Sequence, residues 1–207
     1  MPLVKRDGPA AAAIQDSDES LAAATANLSS PDAEIRWNAA RSLGGRREAV
    51  PALATALGAE RAPRVREAIV TALIRVGDEA SVRALMPYLR SQDAALRAAT
   101  VEGLQSLPKA IYPFLELLLA DGDADVRILA TELARNLPSA DATQVLCRLL
   151  EHEQHPNVCG AAIEVLAEVG TRDAVPSLRS CAARFSGIPF LGFAASTAIA
   201  RLETGKG

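Results

Sequence analysis

Aromatic residues are scarce in this sequence, at 3% of 207 residues, although hydrophobic residues make up 49%. The core must therefore be built from Ala, Leu, Val and Ile, a composition that suits closely packed helices. No apolar run approaches the roughly 18 residues that a membrane-spanning helix requires. We accordingly expect one helical domain and no contact with a membrane.

The chain also lacks an excess of positive charge, since 22 basic residues stand against 25 acidic ones. This balance argues against a nucleic-acid partner, which usually requires a basic face. Cysteine is limited to Cys147, Cys159 and Cys181. An odd number of cysteines without a signal peptide predicts reduced thiols in a cytoplasmic protein.

The first 16 residues show no helical period and contain Pro2, Gly8 and Pro9. We interpret residues 1–16 as a flexible N-terminal leader rather than a signal peptide. A short docking segment is the alternative, because the opening MPLVKR places two apolar residues beside two cations.

One phrase recurs along the remaining chain. It begins at Val65 as VREAIVTALIRVGD, and related phrases begin at Ile35, Leu96, Val126, Val158 and Leu191, so that successive starts lie 30 to 33 residues apart. A fixed period in this range is typical of stacked-repeat proteins. Offsets 0, +4 and +8 of each phrase are mostly apolar, which predicts that these positions are buried between neighbouring helices.

Turn and stop residues separate the repeats into helix pairs. Asp32 and Pro31 predict a helix start, and Gly44, Gly45 and Gly77 predict helix ends. Pro87 predicts a kink in its helix. We expect an all-α repeat domain over residues 17–203, followed by a tail at 204–207. Its six repeats are predicted at about 17–45, 46–77, 78–107, 108–138, 139–170 and 171–203.

These residues resemble the HEAT repeat, in particular the short bacterial subtype named after phycobilisome lyases. The likeness rests on the pattern Asp–x–x–Val–Arg–x–x–Ala–Ala–x–x–Leu–x–x–Gly, followed by Ala–Val–Pro–x–Leu. Asp32 to Gly44 with Ala49 to Leu53 matches it best, together with Val65 to Gly77. The resemblance implies a right-handed α-solenoid of about six helix pairs. It also implies that the helices opening with Val–Arg line a concave face.

Few motifs in the sequence indicate a catalytic or metal-binding site. The His–Glu pairs of di-iron relatives of this repeat class are missing from every matching offset, so no catalytic residue or cofactor is assigned. Cys147, His152, His155 and Cys159 contain the ligand types of a zinc site. Their spacing is not a recognised zinc pattern, and ordinary turn and helix-face residues are the alternative. We predict no metal.

The arginines at offset +1 allow two interpretations. They are Arg36, Arg66, Arg97 and Arg127. In the first, each guanidinium binds carboxylates or turn carbonyls of the adjacent repeat. In the second, the row of arginines anchors acidic side chains of a partner.

The exposed offsets of the same helices predict a binding surface. Offsets +2 and +5 should face the concave groove, and they include large apolar residues that could form an interaction patch. The predicted partner-binding set consists of Trp37, Val70, Val101, Ile128, Ile163 and Phe193, with Arg36, Arg41, Arg66, Arg97 and Arg127. Burial of these side chains between curved helices is the alternative.

The sequence favours a non-enzymatic adaptor that binds a protein partner through this surface, although enzymatic activity stays open. The alternative is a protein related to bilin lyases that handles a tetrapyrrole. The identity of the partner and the oligomeric state are left open. The apolar segment around Phe185, Ile188, Phe190 and Phe193 could be an internal cap or a dimer contact.

Overall fold

The computed structural model describes residues 20–204, which form helices and turns without a strand. The predicted leader, residues 1–16, lies outside the described residues, as does most of the predicted tail. The described chain divides into two compact units at the bond between Leu85 and Met86. This division falls inside the predicted third repeat.

The described part of the first unit, residues 20–85, contains five α-helices. They are α1 (residues 20–27), α2 (Ala33–Ser42), α3 (Val50–Ala59), α4 (Pro63–Val76) and α5 (Glu79–Leu85), with a 3-10 turn at Arg47–Ala49 before α3. Helix α4 packs against α2, α3 and α5. It therefore forms the centre of this unit.

The second unit begins with a 3-10 helix at Met86–Arg90. Its α-helices are α6 (Ala94–Gln105), α7 (Pro108–Ile111), α8 (Leu115–Leu119), α9 (Ala124–Ala134), α10 (Ser139–His152), α11 (Pro156–Val169), α12 (Val175–Arg184) and α13 (Pro189–Thr204). Further 3-10 turns lie at Tyr112–Phe114 and Arg172–Ala174. Helix α11 packs against α9, α10 and α13.

Capping residues explain where the repeated helices begin. The carboxylate of Asp32 accepts a hydrogen bond from the Glu34 N–H at 2.8 Å, and Asp93 and Asp123 cap α6 and α9 in the same way. Each cap satisfies backbone donors that have no partner inside the helix. Helices α4, α7 and α11 instead begin with proline, which loses no hydrogen bond at the first helical position.

Proline also explains the interrupted helices. Helix α5 ends at Leu85, and the segment that contains Pro87 continues as a 3-10 helix. The break agrees with the predicted kink, because proline removes a backbone donor and its ring crowds the preceding turn. Pro113 likewise lies in a 3-10 turn, Tyr112–Phe114, between α7 and α8.

The repeated apolar positions form the core. Val65, Ile69 and Leu73 of α4 are buried, and so are the equivalent residues Val126, Ala130 and Ala134 of α9. Ile35, which opens the first phrase, is an exception because 43% of its surface stays exposed. The predicted all-α class, built of HEAT-like helix pairs, is confirmed within residues 20–204.

Candidate functional site

Two of the arginines at offset +1 form largely buried ion pairs, which we call the Arg–Glu clamps. Arg36 binds Glu60 and Arg127 binds Glu153, and in both pairs Nε lies 2.7 Å from Oε2. A second guanidinium nitrogen, Nη1, donates to a turn carbonyl of its own repeat, that of Ser30 or Asp121. Each arginine thus ties the start of its helix to the turn inside the adjacent repeat that precedes the equivalent helix.

The glutamates of the clamps also bind backbone donors. Oε1 of Glu60 accepts the N–H groups of Arg61 and Ala62, each at 2.8 Å. The hydrogen bond from Arg36 is the largest influence on Glu60, and it lowers the pKa of this carboxyl to about 2 despite the opposing effect of burial. These contacts keep Glu60 ionised at neutral pH.

Burial and hydrogen bonding also act in opposite directions on the pKa of Glu153, but here burial is the largest single influence. Burial opposes ionisation most strongly, yet the hydrogen bonds from Arg127 and the His155 N–H hold its pKa below the ordinary value. Arg97 donates to the carbonyl of Ser91 in the equivalent turn. Binding of the adjacent repeat is therefore seen for Arg36 and Arg127, whereas Arg97 binds a turn carbonyl of its own repeat. Their role as partner anchors stays a prediction.

A cavity of about 450 Å³ lies between α2 and α4 in the first unit. We call it the Trp37 cavity. Its walls combine one aromatic ring, several charged groups and small residues. They comprise Trp37, Arg41, Gly44, Arg64, Glu67, Ala68, Thr71, Ala72 and Arg75.

Two guanidinium groups lie over the indole ring of Trp37. The Cζ atom of Arg41 is 4.5 Å from the ring centroid, and that of Arg64 is 4.2 Å from it. Arg41 reaches the ring because it lies one helical turn beyond Trp37 on α2. Arg64 reaches it from the first turn of α4 and also pairs with Glu34. Both contacts fit the attraction between a cation and the face of an aromatic ring.

The predicted row of exposed apolar residues is only partly exposed. Phe193, at offset +2, is 76% exposed, and Trp37 and Ile128 at the same offset are half-buried. Val70 and Ile163, at offset +5, are only 2% and 1% exposed. The expected exposure of Val70 and Ile163 is therefore wrong. Helix α11, which carries Ile163, packs against α9, α10 and α13, and the helices packed around α4 cover Val70.

The structure brings together only some of the predicted site residues. Trp37 and Arg41 line the Trp37 cavity, whereas Arg97 and Ile128 line a separate cavity of about 380 Å³ in the second unit. Val101 is half-buried on α6, and Arg66 is half-buried on α4.

Sequence reasoning missed Arg64 and Arg75 as members of the Trp37 cavity. Arg64 precedes the phrase at Val65 and Arg75 lies near its end, so neither occupies an offset that was examined. No sequence signal set them apart, since residues 64–75 carry three arginines and residues 36–47 carry four.

The cysteines and histidines do not converge. Among residues 20–204, no group of three or more histidine, cysteine or acidic side chains is placed to hold a metal ion. His152 is exposed and Cys159 is buried, which separates two members of the considered zinc cluster. All three cysteines are free thiols. Contact with Cys181, together with burial, raises the pKa of Cys159 well above its usual range.

No helix in the part of the chain that the structure describes is both long and apolar enough to cross a membrane.

Comparison with known proteins places these helices in a family. HEAT repeats match residues 21–105 and 111–186. Over 93% of this chain and 90% of the other, the fold resembles that of an archaeal HEAT-like repeats protein from Thermococcus onnurineus, with a TM-score of 0.51 at 14% sequence identity.

Two curated relatives carry the same name. The bilin biosynthesis protein PecE of Mastigocladus laminosus is 34% identical over 149 residues, which cover 70% of this chain and 55% of that protein. PecE of a Nostoc species is 37% identical over 89 residues, which cover 40% of this chain and 35% of that protein. The chain thus spans about half, or less, of the length of the relatives that it matches.

These relatives correct the main functional prediction. Both are named for bilin biosynthesis, which contradicts a non-enzymatic adaptor or scaffold as the leading function and favours the bilin-handling alternative. They also agree with the predicted likeness to the phycobilisome-lyase subtype. With family matches that together cover most of its residues, this chain belongs to the HEAT repeat family.

Proposed function

We propose that this protein handles a bilin, an open-chain tetrapyrrole, during the biosynthesis of the pigment or its attachment to a protein. The observation that carries the proposal is the 34% identity over 149 residues with a bilin biosynthesis protein. The fold alone does not support it, because helical repeat scaffolds serve many unrelated functions.

Involvement in an enzymatic reaction forms part of this proposal. The matched relatives are biosynthetic proteins, and this chain covers only part of their length. We assign no catalytic residue. A protein partner and a cytoplasmic location were both predicted from the sequence, and we retain them as predictions within the same proposal.

A titration tests the proposal directly. We expect biliverdin, added to the purified chain, to show a saturable shift in visible absorption and an induced circular dichroism signal. Both signals arise when a flexible pigment is held in one conformation by a chiral protein environment. Another HEAT repeat protein of similar length, without a bilin-related sequence, serves as the control.

The proposal is wrong if biliverdin gives the same signals with both proteins. It is also wrong if this chain leaves the spectrum unchanged when protein is in large excess over pigment.

A further inference from the structure

Two guanidinium groups of the Trp37 cavity form no ion pair among residues 20–204. The arginines of the Arg–Glu clamps donate their hydrogen bonds to carboxylates and turn carbonyls, and Arg135 binds both Glu132 and Glu168. Arg41 and Arg75 differ, because among residues 20–204 neither has a carboxylate partner. Their donors are thus available to a ligand.

Cationic groups are concentrated around this cavity. Arg41, Arg64 and Arg75 line it, while Glu67 is the only acidic lining residue and Glu34 pairs with Arg64 from outside. Like charges placed close together repel one another, and an anion bound between them relieves that repulsion. Two of the three cations lie within 4.5 Å of one ring centroid, which concentrates positive charge beside the indole of Trp37.

Gly44 allows Arg75 to lie along the wall of the cavity. A Cβ atom at Gly44 would approach Nη1 of Arg75 to 3.2 Å and its Cδ to 3.3 Å, which is closer than most real contacts of this kind. The missing side chain therefore leaves room for the arginine against the end of α2. This placement positions a third guanidinium on the same cavity as Trp37.

The combination of an indole ring with spare guanidiniums selects a particular ligand chemistry. Arginine forks match carboxylates with paired hydrogen bonds, and the part of the indole that the two guanidinium groups leave uncovered offers an apolar contact to a conjugated group. A bilin offers both features in one molecule, because it carries two propionate side chains on a conjugated chain of pyrrole rings. The cavity size falls within the range of ordinary ligand sites.

We infer that the Trp37 cavity binds the propionate-bearing part of a bilin, with Arg41 and Arg75 contacting a carboxylate and Trp37 contacting a pyrrole ring. This inference rests on the proposed bilin-handling function and assigns it a site. Arg64 contributes positive charge while it remains paired with Glu34.

The test compares biliverdin with biliverdin dimethyl ester, which lacks the carboxylate charges, in the same buffer and cosolvent. We expect the ester to bind the unaltered protein at least roughly tenfold more weakly, the effect of losing a charged hydrogen bond. The double variant Arg41→Gln, Arg75→Gln should weaken binding of the acid by a similar factor. The same variant should leave binding of the ester unchanged.

Two further variants separate the contributions. Trp37→Leu should weaken both compounds, because its ring contacts the pyrrole system rather than the carboxylate. Arg201→Gln serves as the matched control, since Arg201 is an exposed arginine on α13 in the other unit. It should bind both compounds as the unaltered protein does. All substituted arginines are exposed, and the unfolding midpoint in urea checks that each variant is folded.

Two results would overturn the assignment in different ways. If the acid and the ester bind equally well and Arg41→Gln, Arg75→Gln has no effect, the bilin binds elsewhere and only this inference fails. If neither compound binds, the proposed function fails, and the assignment of the cavity fails with it.

Discussion

The Arg–Glu clamps show how a residue repeated along a sequence acquires a structural role. Arg36 and Arg127 occupy the same offset in two repeats, and each reaches a glutamate in the turn between the two helices of the adjacent repeat. Their glutamates are only 5% and 6% exposed, so the ion pairs are shielded from water and salt. Loss of one partner would leave the other charge buried and unpaired, which is costly.

We predict that Glu60→Gln lowers the free energy of unfolding by about 1–3 kcal/mol at pH 7, because the charged hydrogen bond from Arg36 is lost. Glu116→Gln is the matched control, since the Glu116–Arg148 pair is exposed and should contribute less than about 1 kcal/mol. Urea unfolding of both variants measures the difference. Equal effects of the two substitutions would contradict the structural role of the clamp.

The same pair predicts a pH dependence. The folded-state pKa of Glu60 is lowered to about 2 from an ordinary value of 4.5. Its contribution is therefore complete above pH 4.5 and is lost as the pH falls from 4.5 towards 2. We expect the stability difference between the unaltered protein and Glu60→Gln to narrow over this range in urea unfolding. A difference that stays constant from pH 7 to pH 3 would disprove the assigned pKa.

At the scale of the element, helix ends depend on a few backbone positions. Helix α4 stops at Val76 because Gly77 adopts a left-handed conformation with φ of 66°, and its N–H bonds the carbonyl of Leu73. Residues with a side chain adopt this conformation only at a cost. The sequence predicted this stop from the glycine alone.

We predict that Gly77→Ala lowers the free energy of unfolding by about 1 kcal/mol, because alanine is strained at positive φ. Gly122→Ala is the control, since φ of Gly122 is not positive and an added Cβ would meet nothing within 4 Å. That substitution should change stability by less than about 0.5 kcal/mol. Thermal unfolding of the two variants measures both stability changes. A larger loss of stability for Gly122→Ala than for Gly77→Ala would contradict the explanation.

At the scale of the whole molecule, the described chain forms two compact units, each built from helices that pack on their neighbours in sequence. Repeat proteins make contacts mainly between adjacent repeats, so their stability is the sum of local terms. A destabilising substitution in one unit should therefore lower the stability of that unit much more than that of the other.

We predict that Leu133→Ala, in the buried face of α9, costs about 2–5 kcal/mol in local stability. Hydrogen exchange should show loss of protection in α9 and in its neighbours α8 and α11, with a much smaller loss in α2 and α4. Phe193→Ala, at a residue 76% exposed, should leave protection nearly unchanged. An equal loss in α4 and α9 would show that the chain unfolds as one cooperative block.

The sequence by itself determined the helical class, the repeat period and most of the core. Val65, Ile69 and Leu73 could be assigned to the core because a helix has a fixed period, and apolar residues at that period must share one face. The end of α4 at Gly77 followed from glycine's freedom to adopt positive φ. These features are local, and local physical chemistry is sufficient to predict them.

Only the tertiary structure decided which distant residues meet. A periodic pattern identifies the apolar face of a helix, but it does not say how far the next helix covers the edges of that face. For this reason the buried positions of Val70 and Ile163 were mistaken for exposed ones. For the same reason the sequence identified Trp37 and Arg41 but missed Arg64 and Arg75, which reach the cavity because α4 packs against α2.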